Sequence, residues 1–154
     1  MADLLSVGEK APEFETTDQN GNKVTLGKFR GMPVVLYFYP KDDTPGCTTE
    51  ACSFRDNHDI YRKHGVEVLG VSVDGEESHK KFVDKFNLNF TLLADSNKEI
   101  VSKYGVIQDN GHAKRVTYLI DQDGKIAHVY EKVTPKEHAE TVLSKLRELG
   151  LVSE

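Results

Sequence analysis

Hydrophobic positions along the chain change period several times, and each change marks an element. Val34-Val35-Leu36-Tyr37-Phe38-Tyr39 is an unbroken apolar run, β-branched or aromatic apart from Leu36. Such a run predicts a strand buried on both faces. VEVLGVSVD, at 66–74, has the same character. Between them, a stretch from Thr44-Pro45 to His64-Gly65 carries an N-cap residue, a first-turn proline and a glycine after its end, which predicts a helix. The three elements make a βαβ unit. Before it, Phe14–Asp18 and Lys23–Leu26 flank Gln19-Asn20-Gly21-Asn22, and an Asn-Gly pair between short extended runs predicts a hairpin.

Downstream, EESHKKFVDKFN predicts a second helix and Phe90–Leu93 a short strand. Ser96-Asn97-Lys98-Glu99 has capping-box spacing, opening a helix that carries Ile100, Val101 and Tyr104 and stops at Gly105. RVTYLID (115–121), a turn at Gln122-Asp123-Gly124 and KIAHVYE (125–131) predict a second hairpin. Thr134-Pro135-Lys136-Glu137 is read as the cap of a last helix, with Ala139, Val142, Leu143, Leu146 and Leu149 on one stripe. This order predicts an α/β fold, a thioredoxin-like sandwich with a central mixed β-sheet flanked by helices and an N-terminal β-hairpin. Repeats and linkers are absent, so residues 1–154 are expected to form a single domain.

Composition narrows the function classes. The net charge is −5 and Lys and Arg are scattered, so nucleic acid is not an expected partner. The longest apolar run is far short of the roughly 20 residues of a membrane span, and the first residues lack a signal-peptide pattern. A soluble, cytoplasmic protein is expected, where thiols stay reduced unless they turn over. A chain of this size buries an ordinary core without staples.

The two cysteines, Cys47 and Cys52, are therefore the informative residues. With Thr44 as N-cap, Cys47 sits near the third helical position, close to free backbone N–H groups and the positive end of the helix dipole. Both favour the thiolate, which is the nucleophile. Ala51, Phe54, His58 and Tyr61 share its face, while Cys52 is rotated by about 140°. In an intact helix the two Cα atoms stand roughly 8.7 Å apart, beyond the about 7 Å that a disulfide spans without backbone movement. Any disulfide between them demands that the first turns unwind, and Gly46 with Cys47-Thr48-Thr49 makes those turns poor helix formers. The bland alternative is a pair of buried small apolar residues. A metal site is disfavoured, since the Cys-x4-Cys spacing lacks partner ligands at finger spacing and the six histidines are scattered.

Pro40-x-x-x-Thr44-x-x-Cys47, within YFYPKDDTPGCTTEAC, resembles the P-x-x-x-T-x-x-C motif of the peroxiredoxins, in particular the bacterioferritin-comigratory-protein or peroxiredoxin Q branch. The likeness runs on through GEKAPEF, VLGVSVD, NFTLLAD and YLIDQDGKI. It implies a peroxidatic role for Cys47 and a resolving role for Cys52. Thr44 would hydrogen-bond thiolate and peroxide, Pro40 would shield the pocket, Arg115 would stabilise the thiolate and departing oxygen, and Glu50 would orient that arginine. On their own residue types, Arg115 and Glu50 read as surface charges and Pro40 as a strand end.

The implied activity is reduction of hydrogen peroxide and organic hydroperoxides without a cofactor or metal. A thioredoxin-type dithiol would regenerate the enzyme, and a monomer is expected. The stretch 106–114 is shorter than in many relatives, which lengthen this loop beside the pocket. Rival readings are a general thiol–disulfide oxidoreductase, which wants C-x-x-C, and a redox sensor whose unwound helix recruits a partner. A sulfur both protonated at neutral pH and shut off from solvent would serve none of these.

Overall fold

The computed structural model describes residues 4–152. In chain order the elements are β1 (Glu15–Asp18), β2 (Lys23–Thr25), β3 (Val34–Phe38), α1 (Pro45–Lys63), β4 (Glu67–Ser72) and α2 (Glu76–Phe86). They continue with β5 (Thr91–Ala94), α3 (Glu99–Lys103), β6 (Val116–Ile120), β7 (Ile126–Tyr130) and α4 (His138–Glu148). All seven strands join one mixed sheet in the order β2-β1-β5-β4-β3-β6-β7. β3, β4 and β5 run parallel, and β6 closes on β3 antiparallel. The N-terminal hairpin extends this sheet at its edge, with Thr17 opposite Ala94 and Asp18 opposite Leu93. The expected α/β sandwich is thus the observed one.

Every residue of β3 is buried, and its alternation divides the core in two. Val35, Tyr37 and Tyr39 pack with Ala51, Phe54 and Tyr61 of α1 and Ala139, Val142 and Leu146 of α4. Val34, Leu36 and Phe38 face the other way, onto Ile100, Val101 and Tyr104 around α3. The unbroken apolar run needed both faces covered, and helices cover both.

Three local expectations are corrected. Lys98 takes a left-handed φ of 63° just before α3. That turn brings the Asp95 carboxylate, rather than Ser96, under the backbone N–H groups of Ile100 and Val101, at 3.0 and 2.8 Å. Thr134 does not cap α4: its carbonyl accepts from Glu137 N–H in a separate turn, and the helix begins at His138. Leu149 falls past the helix end, where Gly150 reverses the chain with φ 74°, so it leaves the stripe and is 40 % exposed.

Candidate active site

β3 delivers the chain to one end of the sheet, where Pro40 lies half-buried after Tyr39. Thr44 follows in an extended conformation at the N-cap of α1, with Pro45, Gly46 and Cys47 as its first helical residues. The first intrahelical bond runs from Thr48 N–H to the Thr44 carbonyl, which leaves the amides before it free of helical acceptors. Cys47 falls on the stripe of α1 that faces the sheet, with Ala51, Phe54, His58 and Tyr61.

The sheet register supplies the next residue. Phe38 pairs with Val116, so Arg115, one residue earlier, arrives at the same end of the sheet as the start of α1. Residues 106–114 set this up by folding back on themselves: Gln108 N–H bonds to His112 O, and Lys114 N–H to Val106 O. The Arg115 guanidinium then bridges two groups of one helix face. One nitrogen donates to Cys47 Sγ at 3.2 Å and the other to Glu50 Oε1 at 2.7 Å. A Cβ at Gly46 would lie 3.0 Å from the guanidinium, so the glycine admits the arginine as well as loosening the turn.

Glu50 and Arg115, read from residue type as surface charges, are part of the interior. Glu50 has no exposed side chain and Arg115 only 22 %. Burial pushes the Glu50 carboxyl up from 4.5 to about 7, although Arg115 acts in the opposite direction. Its second oxygen, Oε2, has no hydrogen-bond partner. His138 Nε2 stands 4.0 Å from it, and that nitrogen is engaged with Thr117 Oγ1 at 2.8 Å. Burial, followed by the Arg115 charge, lowers His138 from 6.5 to about 4, so the ring is neutral. The Tyr37 hydroxyl is likewise buried and unpartnered. Burial raises it first, and the charges of Glu50 and Cys47 add to that.

The remaining sequence candidates sit as follows. The Thr44 hydroxyl donates to Lys41 O at 2.8 Å; it makes no side-chain cap bond, because the turn that precedes the helix claims it. Cys47 is sealed at 1 % exposure. Cys52 is half-buried on another face, and both thiols are free. A hollow of about 400 Å³ lies beside Cys52, lined by Thr48, Thr49, Ser53, Asp56 and Lys136. The arrangement can stabilise negative charge on Cys47 and on an oxygen next to it, since a guanidinium and free amides converge there.

His138 and Thr117 were missed in the sequence. The signal was present: His138, Val142 and Leu146 are spaced by four, so a histidine occupies an apolar stripe position of α4.

Comparison with known proteins follows the same lines. Residues 7–129 match the AhpC/TSA family model. The chain is 42 % identical over 151 residues to peroxiredoxin Bcp of Escherichia coli strain K12, covering 94 % of this chain and 97 % of that one. The crystal structure of peroxidoxin BcpB from Mycobacterium tuberculosis superposes with a TM-score of 0.88 at 33 % identity, covering 94 % and 97 % of the two chains. The bacterioferritin comigratory protein of Xanthomonas campestris, solved for insight into its alkyl peroxide reduction activity, gives a TM-score of 0.83 at 32 % identity, over 88 % and 90 %. No helix among the described residues is long and apolar enough to cross a membrane.

Proposed function

The chain belongs to the AhpC/TSA family, and from that premise we propose that it is a thiol peroxidase in which Cys47 attacks hydrogen peroxide or an organic hydroperoxide. The observation that carries this is the Arg115 guanidinium donating to Cys47 Sγ while anchored to Glu50. It places fixed positive charge on the one sulfur at the start of α1.

In the first step the Cys47 thiolate forms an S–O bond as the O–O bond breaks. Water or an alcohol leaves once its oxygen takes up a proton, and Cys47 becomes a sulfenic acid. Arg115 and the free amides of α1 hold the charge that develops on the departing oxygen, joined by the Thr44 hydroxyl once it swings from the Lys41 carbonyl. Glu50 orients Arg115, and Pro40 limits entry of bulk water. Because Cys47 is sealed in the helical state, peroxide enters as the Arg115 side chain, which reaches solvent, or the first turn of α1 gives way.

In the second step Cys52 attacks the sulfenic sulfur, an S–S bond forms and water leaves. A separation of roughly 8.7 Å between the Cα atoms in a regular helix requires the turns around Cys47 to unwind first. A dithiol of the thioredoxin type then reduces the disulfide, docking beside the hollow at Cys52.

Peroxide consumption by Cys47→Ser, measured with dithiothreitol as reductant, is expected to fall to the uncatalysed background. Consumption at the parent rate would contradict the assignment. Mass spectrometry after one equivalent of peroxide is expected to show a Cys47–Cys52 disulfide; a free Cys52 beside oxidised Cys47 would remove its resolving role.

A further inference from the structure

A second buried polar cluster lies just upstream of the cysteine helix and has no part in the chemistry described so far. Asp42 belongs to the loop between β3 and α1 and is almost fully buried. Its Oδ1 accepts from the Tyr39 hydroxyl at 2.6 Å. Its Oδ2 accepts from Ser78 Oγ at 2.8 Å and meets His79 Nδ1 at 2.7 Å. The Asp42 backbone N–H donates to Asp74 Oδ2 at 2.9 Å. His79, with no exposed surface, places its other nitrogen 2.8 Å from the Leu93 carbonyl.

A carbonyl can only accept, so Nε2 carries a proton. Nδ1 faces a carboxylate, so that contact holds a second proton, whichever atom carries it. Each polar atom of the pair is thereby satisfied, with ties to α2, β5 and the loop before α2. Surface charges do not explain such an arrangement, because buried polar groups are retained where they are fully paired.

The loop that this cluster grips runs from Tyr39 to Thr44 and contains both Pro40 and Thr44. Asp43, inside it, adopts a left-handed φ of 58°. Immediately after it comes the glycine-containing first turn of α1. A pinned loop therefore abuts a turn of low helix propensity.

We propose that Asp42 and His79 are positioning residues for the reaction at Cys47: their buried pair pins the Tyr39–Thr44 loop to α2 and β5, and sets the upstream limit of the unwinding of α1. The inference rests on the peroxidase reading. Its consequence is a division of labour between the two steps. Oxidation of Cys47 needs the loop in place, because Thr44 and Pro40 form part of the site. Disulfide formation needs only the turns beyond Thr44 to open, and does not need the pin.

The test separates these steps by quench-flow mass spectrometry after mixing with hydrogen peroxide, counting sulfenic acid trapped by dimedone and disulfide. His79→Gln keeps a donor near the Nε2 position for Leu93 but removes the polar atom facing Asp42. His79→Asn keeps a donor near Nδ1 and loses the other. For His79→Gln, oxidation of Cys47 is expected to slow by about 10–100-fold, the scale of a small misplacement of a reacting group, with disulfide formation no slower than in the parent. His79→Asn is expected to oxidise faster than His79→Gln even though asparagine is the poorer helix former and leaves the larger void.

A purely structural role predicts the reverse order, with Asn the more impaired, and that order would overturn the inference. Oxidation at the parent rate in His79→Gln, or equal slowing of both steps, would do the same. If His79→Gln does not fold, Ser78→Ala removes one donor to Asp42 from a half-buried position and is expected to slow the first step alone. In the parent, failure of peroxide to oxidise Cys47 at all would remove the peroxidase reading itself, which distinguishes that failure from failure of the pin.

Discussion

Two carboxylates are buried within the same end of this molecule, and they are treated in opposite ways. Asp42 accepts hydrogen bonds from a tyrosine and a serine and shares a proton with a histidine. Glu50 has one partner, Arg115, and leaves Oε2 with none. Burial of a charged group is costly unless it is paired. A fully satisfied carboxylate therefore fixes geometry, whereas a half-satisfied one is where protonation stays in play near neutral pH. The first holds the loop that shapes the pocket, and the second lies against the arginine that touches the sulfur.

The largest effect is expected from removing what Glu50 and Cys47 share. Arg115→Met is expected to lower the rate of Cys47 oxidation by about 10²–10³-fold, the scale for losing a charge-stabilising donor. Arg115→Lys is expected to recover little of it, because an ammonium cannot bridge sulfur and carboxylate as the planar fork does. Competition kinetics for peroxide would measure both. Parent rates in Arg115→Met would separate Arg115 from the chemistry.

The two carboxylates should also differ in stability. Asp42→Asn disrupts a buried pair, which costs about 3–5 kcal/mol in comparable cases. Glu50→Gln removes a charge that the fold accommodates poorly, so urea unfolding at neutral pH is expected to show a much smaller change, of either sign. Equal destabilisation by the two variants would contradict the distinction.

Their pH dependence sharpens it further. Glu50 titrates at about 7 in the folded chain against an ordinary 4.5. The native state therefore holds more protons than the unfolded one across that interval, and stability falls as pH rises from 4.5 to about 7. The loss is about 3 kcal/mol. His138 is shifted the other way, from 6.5 to about 4. There the unfolded state holds more protons, so stability rises with pH over that interval by a similar amount. The two slopes oppose each other between 4.5 and 6.5. Glu50→Gln is expected to unmask a rising stability curve across this window, and His138→Gln a falling one. Parallel curves for parent and variants would show that neither group titrates as its surroundings dictate.

The smallest expected effect is at Gly46. Alanine there meets the Arg115 guanidinium at 3.0 Å and raises helix propensity by up to about 1 kcal/mol. Cys47 oxidation and disulfide formation are both expected to slow by a few fold, as rapid mixing would record. A faster disulfide step would argue against unwinding as the route to Cys52.

Much of this architecture was legible in the chain because its signals are local. β3 announces itself by a continuous apolar run, β4 by its recurring valines, and Asn20-Gly21 by its turn chemistry. Helix starts were less legible where competing acceptors lie close together: Asp95 displaces Ser96, and the turn at Thr134 delays α4 to His138. The cysteine helix could be read to the residue, since cap, proline and glycine coincide there. What could not be read from residue type is the charge network, because Arg115 and Glu50 meet only through the pairing of β6 with β3. His138 and His79 gave a subtler signal, as polar residues on the apolar stripes of α4 and α2. Such positions mark either a buried hydrogen-bond partner or an error in the stripe, and only the fold distinguishes the two.

The most direct test follows from the one requirement left open by a sealed sulfur. The ultraviolet absorbance of thiolate, measured at neutral pH in Cys52→Ser so that Cys47 is the sole cysteine, reads its ionisation. A thiolate band that is present in Cys52→Ser and lost when Arg115→Met is added is the predicted result. A Cys47 with no thiolate band at neutral pH would be both closed off and uncharged, and would contradict the account.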